Sequence, residues 1–202
     1  GPYAQYVILG AGLDSFAWRR PRFLRDGRIF EVDHPATQAW KRGRARAIGL
    51  PESDRHVFVP CDFSRDPLGD CLTRAGFERG TSTLFSWVGT TMYLEPGAIA
   101  DTLRTVARCM PGSGIVMSYN PSPELLDERQ RSFLDGVARL VAGMGEPLRF
   151  GFTPAGIAQL VAGCGLTIAE APTESDLADR YFTGRRDGLR PLMIERLLWL
   201  RV

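Results

Sequence analysis

Tyr6-Val7-Ile8-Leu9-Gly10-Ala11-Gly12-Leu13-Asp14-Ser15-Phe16 (YVILGAGLDSF, residues 6–16) is the stretch whose reading decides the fold. Val7, Ile8 and Leu9 form an unbroken apolar run, the pattern of a parallel strand buried on both faces. The run ends in Gly10-Ala11-Gly12, a turn in which missing Cβ atoms let a ligand lie against bare backbone. Twenty-one residues after Gly10 a second strand ends in acid, Ile29-Phe30-Glu31-Val32-Asp33. A carboxylate at about that remove from a glycine turn meets the two ribose hydroxyls of an adenosine ligand. Together the two features predict an adenosine-binding site.

Charge discriminates among adenosine ligands. The dinucleotide fingerprint places a third glycine three residues after the second and leaves the helix N-terminus to receive a pyrophosphate. Here that position is Ser15, and just before it stands Asp14, a fixed negative charge that opposes a pyrophosphate. S-adenosylmethionine has no phosphate and carries a sulfonium and an ammonium, so Asp14 suits it and becomes a candidate cofactor-binding residue. A nicotinamide-dependent oxidoreductase is the rival reading that Asp14 and Ser15 disfavour.

Four segments carry a resemblance: LGAGLDSFAWR (9–19), FEVDHP (30–35), VPCDFSRD (59–66) and FSWVGTTMYL (85–94). They are similar to successive motifs of the leucine carboxyl methyltransferase-like family, class I S-adenosylmethionine-dependent methyltransferases. The tail YFTGRRDGLRP (181–191) and the closing ERLLWLRV resemble that family's C-terminus, so the likeness covers nearly the whole chain. It implies S-adenosyl-L-methionine as cofactor and a doubly wound α/β fold: a mostly parallel, Rossmann-like seven-stranded sheet with an antiparallel last strand. It places Gly10 under the methionine part of the cofactor, with Gly12 of the same turn a further cofactor-binding candidate, and Asp33 on the ribose hydroxyls, with Glu31, two residues earlier on the same strand face, as competing acceptor. Asp62 then meets the adenine amino group and Phe63 lies beside the ring, although Asp62 before Ser64 also reads as a cap of the following turn. Two departures stand out. The family carries an acid on the fourth strand where this chain has Val88, between Trp87 and Gly89, with only the hydroxyls of Ser86, Thr90 and Thr91 nearby. The family's helical N-terminal segment, which covers the cofactor and contributes a basic residue, is expected to be absent, because the first strand begins within five residues of Gly1.

The chain has 202 residues, 44% of them hydrophobic, enough for one well-buried α/β core, and 1–202 reads as a single domain. Strand patterns recur at Gln5 to Leu9, Arg28 to Val32, His56 to Pro60, Thr83 to Trp87, Ile115 to Tyr119, Leu166 to Ala171 and Glu195 to Val202. Helical patterns run over Pro35 to Ile48, Pro96 to Cys109, Pro123 to Val141 and Pro154 to Cys164, each opening on a proline that suits a first turn. No apolar stretch approaches the roughly 18 to 20 residues that cross a bilayer, and no secretory signal opens the chain, which predicts a soluble, cytoplasmic protein without a membrane partner.

A net charge of +2 is too small to imply a polyanionic partner. In the cluster Lys41 to Arg46 the residues Ala36, Ala39, Trp40, Gly43 and Ala47 fall at helical spacing, which predicts an apolar face of those five and a solvated charged face opposite, with no nucleic-acid contact. Cys61, Cys71, Cys109 and Cys164 form no CxxC pair and have no neighbouring histidine, so they read as reduced core thiols without a metal. His34 follows the ribose acid and His56 opens a strand; both read as structural imidazoles, and Tyr93 and Tyr119 as packing aromatics at strand ends. With no nucleophile and base pair in view, the chemistry that fits is displacement on a sulfonium carbon by an already ionised oxygen, which needs alignment more than a base. The expectation is therefore O-methylation of a carboxylate or hydroxyl of a small molecule, with a cofactor-binding fragment lacking turnover as the alternative.

Overall fold

A computed structural model of the chain describes residues 3–19, 24, 27–143, 147–149, 151–191 and 194–202. Seven strands are present: β1 (Gln5–Leu9), β2 (Arg28–Asp33), β3 (His56–Pro60), β4 (Thr83–Trp87), β5 (Gly114–Tyr119), β6 (Thr167–Glu170) and β7 (Arg196–Arg201). They form one sheet in the order β3-β2-β1-β4-β5-β7-β6. β1 to β5 run parallel, and β7 is antiparallel to both β5 and β6. The doubly wound fold expected from the sequence is the fold observed. Because the winding reverses between β1 and β4, the loops leaving these neighbours diverge and open a crevice at their carboxyl ends.

The helices are α1 (Phe16–Arg19), α2 (Pro35–Ala47), α3 (Leu68–Arg74), α4 (Pro96–Ala107), α5 (Glu128–Gly143), α6 (Pro154–Gly163) and α7 (Glu174–Tyr181), with 3-10 turns at Thr91–Tyr93 and Pro123–Leu125. One face of the sheet carries the main core: Val7, Leu9, Phe30, Val32, Phe85, Trp87, Ile115 and Met117 pack on Leu72 of α3, Leu103 of α4 and Ile157 of α6. On the opposite face Ile8, Ala11, Ala17, Leu24 and Ile29 form a smaller cluster.

Three local expectations are corrected. The pattern over Pro123 to Val141 splits, because Pro123 opens only a 3-10 turn and α5 begins at Glu128. The seven-residue α3 has no counterpart among the expected helices; about two turns give too little periodicity to detect. The third concerns α2, whose buried residues are Gln38, Lys41 and Ala45, while Trp40 is 55% exposed. The helix is rotated from its apolar stripe because Glu31, fully buried on β2, draws Lys41 inward into an ion pair. Leaving that carboxylate unpaired would cost more than exposing an indole.

Candidate active site

The loop after β1 bends at Gly10, with φ of 67°, and Gly12, with φ of 43°, both in the left-handed region that favours glycine. The two glycines serve different ends. A methyl group on Gly10 would lie 2.2 Å from Thr90 Oγ1, so this position is required by the close approach of the loop after β4. A methyl on Gly12 would meet nothing within 4 Å, so the open backbone the sequence suggested is at Gly12. The amides of Gly10 and Ala11 donate to the Val32 carbonyl, at 2.8 and 3.1 Å, which pins the glycine turn to the end of β2.

Asp33 completes the joint. Its Oδ2 accepts from the Gly12 amide at 2.5 Å and its Oδ1 from the His34 amide at 2.7 Å. Each carboxylate oxygen has a further lone pair, so these bonds orient Asp33 and leave acceptor capacity for a ligand. The next strand end contributes Asp62 and Phe63. Asp62 Oδ1 accepts from the Ser64 amide at 2.9 Å, so the turn-forming role and a place in the pocket coexist in one residue. Phe63 leans on Trp87 with ring centroids 6.2 Å apart.

Gly10, Gly12, Asp33, Asp62 and Phe63 line one cavity of about 640 Å³, together with His34, Thr90, Tyr93 and Arg149. A volume of that order is typical of small-molecule sites, about 300 to 1,000 Å³. Five of the seven candidate residues from the sequence therefore converge. The other two do not. Glu31 shares a strand face with Asp33, but its carboxylate is held by Lys41, with His56 Nε2 3.0 Å from the other oxygen and outside hydrogen-bond geometry, away from the cavity lining. Asp14 is spent locally: its Oδ1 accepts from the Phe16 amide at 2.7 Å, capping α1, and Arg19 lies 3.8 Å away. A pyrophosphate is disfavoured at this turn by local bonding as well as by charge. Asp14 occupies a donor at the start of α1, and a helix of four residues offers little dipole.

His34 is the N-cap of α2, with Nδ1 accepting from the Ala36 amide at 3.3 Å, while also facing the cavity. Tyr119 is buried against Phe152 and outside the lining; burial pushes its hydroxyl pKa up, with Arg196 opposing. Val88 is 48% exposed and outside the described lining, whereas Gly89 and Thr90 beside it contribute to the cavity. Arg149 and Thr37 were missed by the sequence reading. Arg149 lies 55 residues beyond Leu94, where the fourth motif ends, and well before the C-terminal segments, and no local pattern marks it.

All four cysteines are buried and free. Fold proximity that spacing could not show brings Cys61, Asp66 and Cys71 within 4.8 Å of one another through their ligand atoms. Arg74 Nη2 lies 3.3 Å from Cys71 Sγ, a cation where a metal would need none, and burial with the Cys71 neighbour pushes the Cys61 thiol far above the usual range. These are core thiols. Among the described residues no helix is long and apolar enough to cross a membrane.

A parallel sheet with a β1/β4 switch point, a glycine turn pinned to a second-strand acid and an antiparallel seventh strand make up the fold of the Rossmann-like methyltransferases. The fold is shared with mitomycin 7-O-methyltransferase MmcR (TM-score 0.62, 19% identity, 98% of this chain and 49% of that one). It is also shared with human N-acetylserotonin methyltransferase, solved with S-adenosylmethionine (TM-score 0.55, 18% identity, 98% and 47%). Residues 2–107 match the leucine carboxyl methyltransferase family, and the chain belongs to that family. A Bacillus subtilis (strain 168) relative, "Putative S-adenosyl-L-methionine-dependent methyltransferase YktD", is 34% identical over 186 residues, 92% of this chain and 61% of the relative. A Mycolicibacterium gilvum (strain PYR-GCK) relative with the same designation is 41% identical over 101 residues, 50% of this chain and 39% of the relative. The chain thus spans about 61% of the length of YktD.

Proposed function

We propose that the protein transfers a methyl group from S-adenosylmethionine to an oxygen of a small molecule. The observation that carries this reading is the joint of Gly12 and Asp33, an oriented carboxylate beside open backbone at the switch point of the sheet. Family membership supports it. When bound, the cofactor supplies an electrophilic methyl carbon on a sulfonium. Asp33 would hold the ribose hydroxyls through its remaining lone pairs, and Asp62 and Phe63 would meet the adenine amino group and ring. The described lining carries the carboxylates of Asp33 and Asp62 against one guanidinium, a balance that suits a cationic ligand.

Acceptor chemistry follows from what surrounds the cavity. The lining offers hydroxyls on Thr90 and Tyr93 and the imidazole of His34, but His34 Nδ1 is engaged as a helix cap. An acceptor oxygen that is ionised beforehand, a carboxylate or an acidic hydroxyl, needs only to be held in line. The test is incubation of the protein and methyl-labelled cofactor with a metabolite extract, followed by analysis of labelled products. A labelled ester or ether supports the reading. Label found only on nitrogen, carbon or sulfur, or no S-adenosylhomocysteine formed, overturns it.

A further inference from the structure

The connection between α5 and α6 returns to the sheet through main-chain bonds: Phe152 N to Asn120 O at 2.9 Å and Ser122 N to Phe152 O at 3.0 Å. Just before it, the Arg149 amide donates to the Met92 carbonyl at 2.8 Å, in the 3-10 turn after β4. The Arg149 backbone is thereby tied to the turn after β4, and Arg149 lines the cavity that holds Gly10, Gly12 and Asp33. Among the described lining residues it is the single lysine or arginine.

One arm of the guanidinium is engaged, with Nη1 2.7 Å from Glu95 Oε1. Glu95 precedes α4 as its N-cap residue and holds the fork from the α4 side. A guanidinium has five N–H donors in a rigid plane, and an arrangement with one edge tied to a fixed acid leaves another edge to meet a second carboxylate in bidentate fashion. As a surface ion pair alone, with side chains 48% and 58% exposed, the Arg149–Glu95 contact contributes little to stability. Its placement at the cavity is what gives it a role.

We propose that Arg149, positioned by Glu95, is the carboxylate anchor of this pocket. The proposal rests on the methyl-transfer reading above. Two pocket ligands can supply the carboxylate: the methionine end of the cofactor and the acceptor. The chemistry is the same, a planar anion against a planar fork, and the two sources separate by experiment.

The experiment is calorimetric titration of the full chain, as wild type, Arg149→Gln and Arg149→Lys, with two probes. S-adenosylhomocysteine carries the amino-acid carboxylate, and 5′-methylthioadenosine has the same adenosine and sulfur without it. If the cofactor supplies the carboxylate, Arg149→Gln weakens S-adenosylhomocysteine roughly ten-fold to a hundred-fold and leaves methylthioadenosine unchanged, as expected for a lost charge-assisted contact. Arg149→Lys recovers part of the loss, because it keeps charge but not the fork. If the acceptor supplies it, both probes bind all variants equally. Transfer of labelled methyl to a panel of phenols that also carry a carboxylate then shows a raised KM in Arg149→Gln, with transfer to the matched phenols lacking the carboxylate unaffected. Equal weakening of both probes, or unchanged binding together with unchanged transfer to every acid, overturns the proposal. Wild-type protein that binds neither probe overturns the pocket reading itself, a failure visible without any variant.

Discussion

Replacing Lys41 with methionine removes one partner of a buried pair and leaves the other in place. Lys41 and Glu31 have side chains 5% and 1% exposed, and His56 Nε2 stands 3.0 Å from the other Glu31 oxygen. Around them lie aromatic rings: Trp18 packs edge-on against His56 at 4.7 Å, and His56 lies 4.3 Å from Phe58. Solvent therefore cannot compensate a carboxylate that loses its ammonium. Breaking a buried pair costs about 3 to 5 kcal/mol, several times the value of an exposed one. For a domain of this size that is a fall of roughly 6 to 20 °C in Tm. The double variant Glu31→Leu, Lys41→Met removes both charges and recovers most of the loss, since an apolar pair of similar volume replaces the ionic one. Urea denaturation followed by circular dichroism measures all three proteins. A Lys41→Met cost below about 1 kcal/mol, or a double variant no more stable than the single, would refute the reasoning.

Further outcomes follow from the glycine turn and the thiols. Gly10→Ala lowers Tm and impairs cofactor binding, because the added methyl meets Thr90 Oγ1 at 2.2 Å and φ is 67°. Adding Thr90→Ala to it restores the part of Tm lost to the collision and not the part lost to backbone strain, which a thermal melt of both variants checks. Burial raises the Cys109 thiol from 9.0 to about 11, and also raises Cys164, Tyr6 and Tyr119. Each is a group whose folded pKa exceeds its unfolded one, so its stabilising share is complete below the unfolded value and disappears as pH climbs through the folded value. The urea midpoint therefore falls between about pH 9 and about pH 11, and a flat profile there contradicts the burial argument. The same burial makes all four cysteines slow toward a disulfide reagent in the native protein and fast after denaturation.

What was legible in the sequence was the part governed by local rules. Apolar runs ending in glycine or acid marked the parallel strands, and first-turn prolines marked the starts of α2, α4 and α6. The cavity positions of Asp33 and Asp62 were legible because Asp33 ends β2 and Asp62 follows the end of β3 by two residues, where the chain leaves the sheet beside the crevice. Glu31 was not, because its role depends on Lys41 arriving from α2 and His56 from β3, and pair distances across elements have no sequence signature. The same reason hid the inward turn of Lys41, since a stripe of alanines and a tryptophan is a weaker determinant than one buried carboxylate. Gly10 was read as space for a ligand and proves to be space for Thr90, a contact across the β1/β4 neighbour pair that only the topology creates. Arg149 enters the pocket on a connection with no repeat or periodicity.

The most direct test is the affinity for S-adenosylhomocysteine of wild type, Asp33→Ala and Glu31→Gln, measured side by side by calorimetry with NADH as a control ligand. The account predicts binding by the wild type and none of NADH. It predicts a loss of roughly 2 to 4 kcal/mol in Asp33→Ala, about thirty-fold to a thousand-fold, because two charge-assisted hydrogen bonds to the ribose disappear. Glu31→Gln lowers Tm but leaves affinity within about three-fold, since its carboxylate faces Lys41 and His56. Affinity that survives Asp33→Ala, or falls further with Glu31→Gln than with Asp33→Ala, would contradict the account.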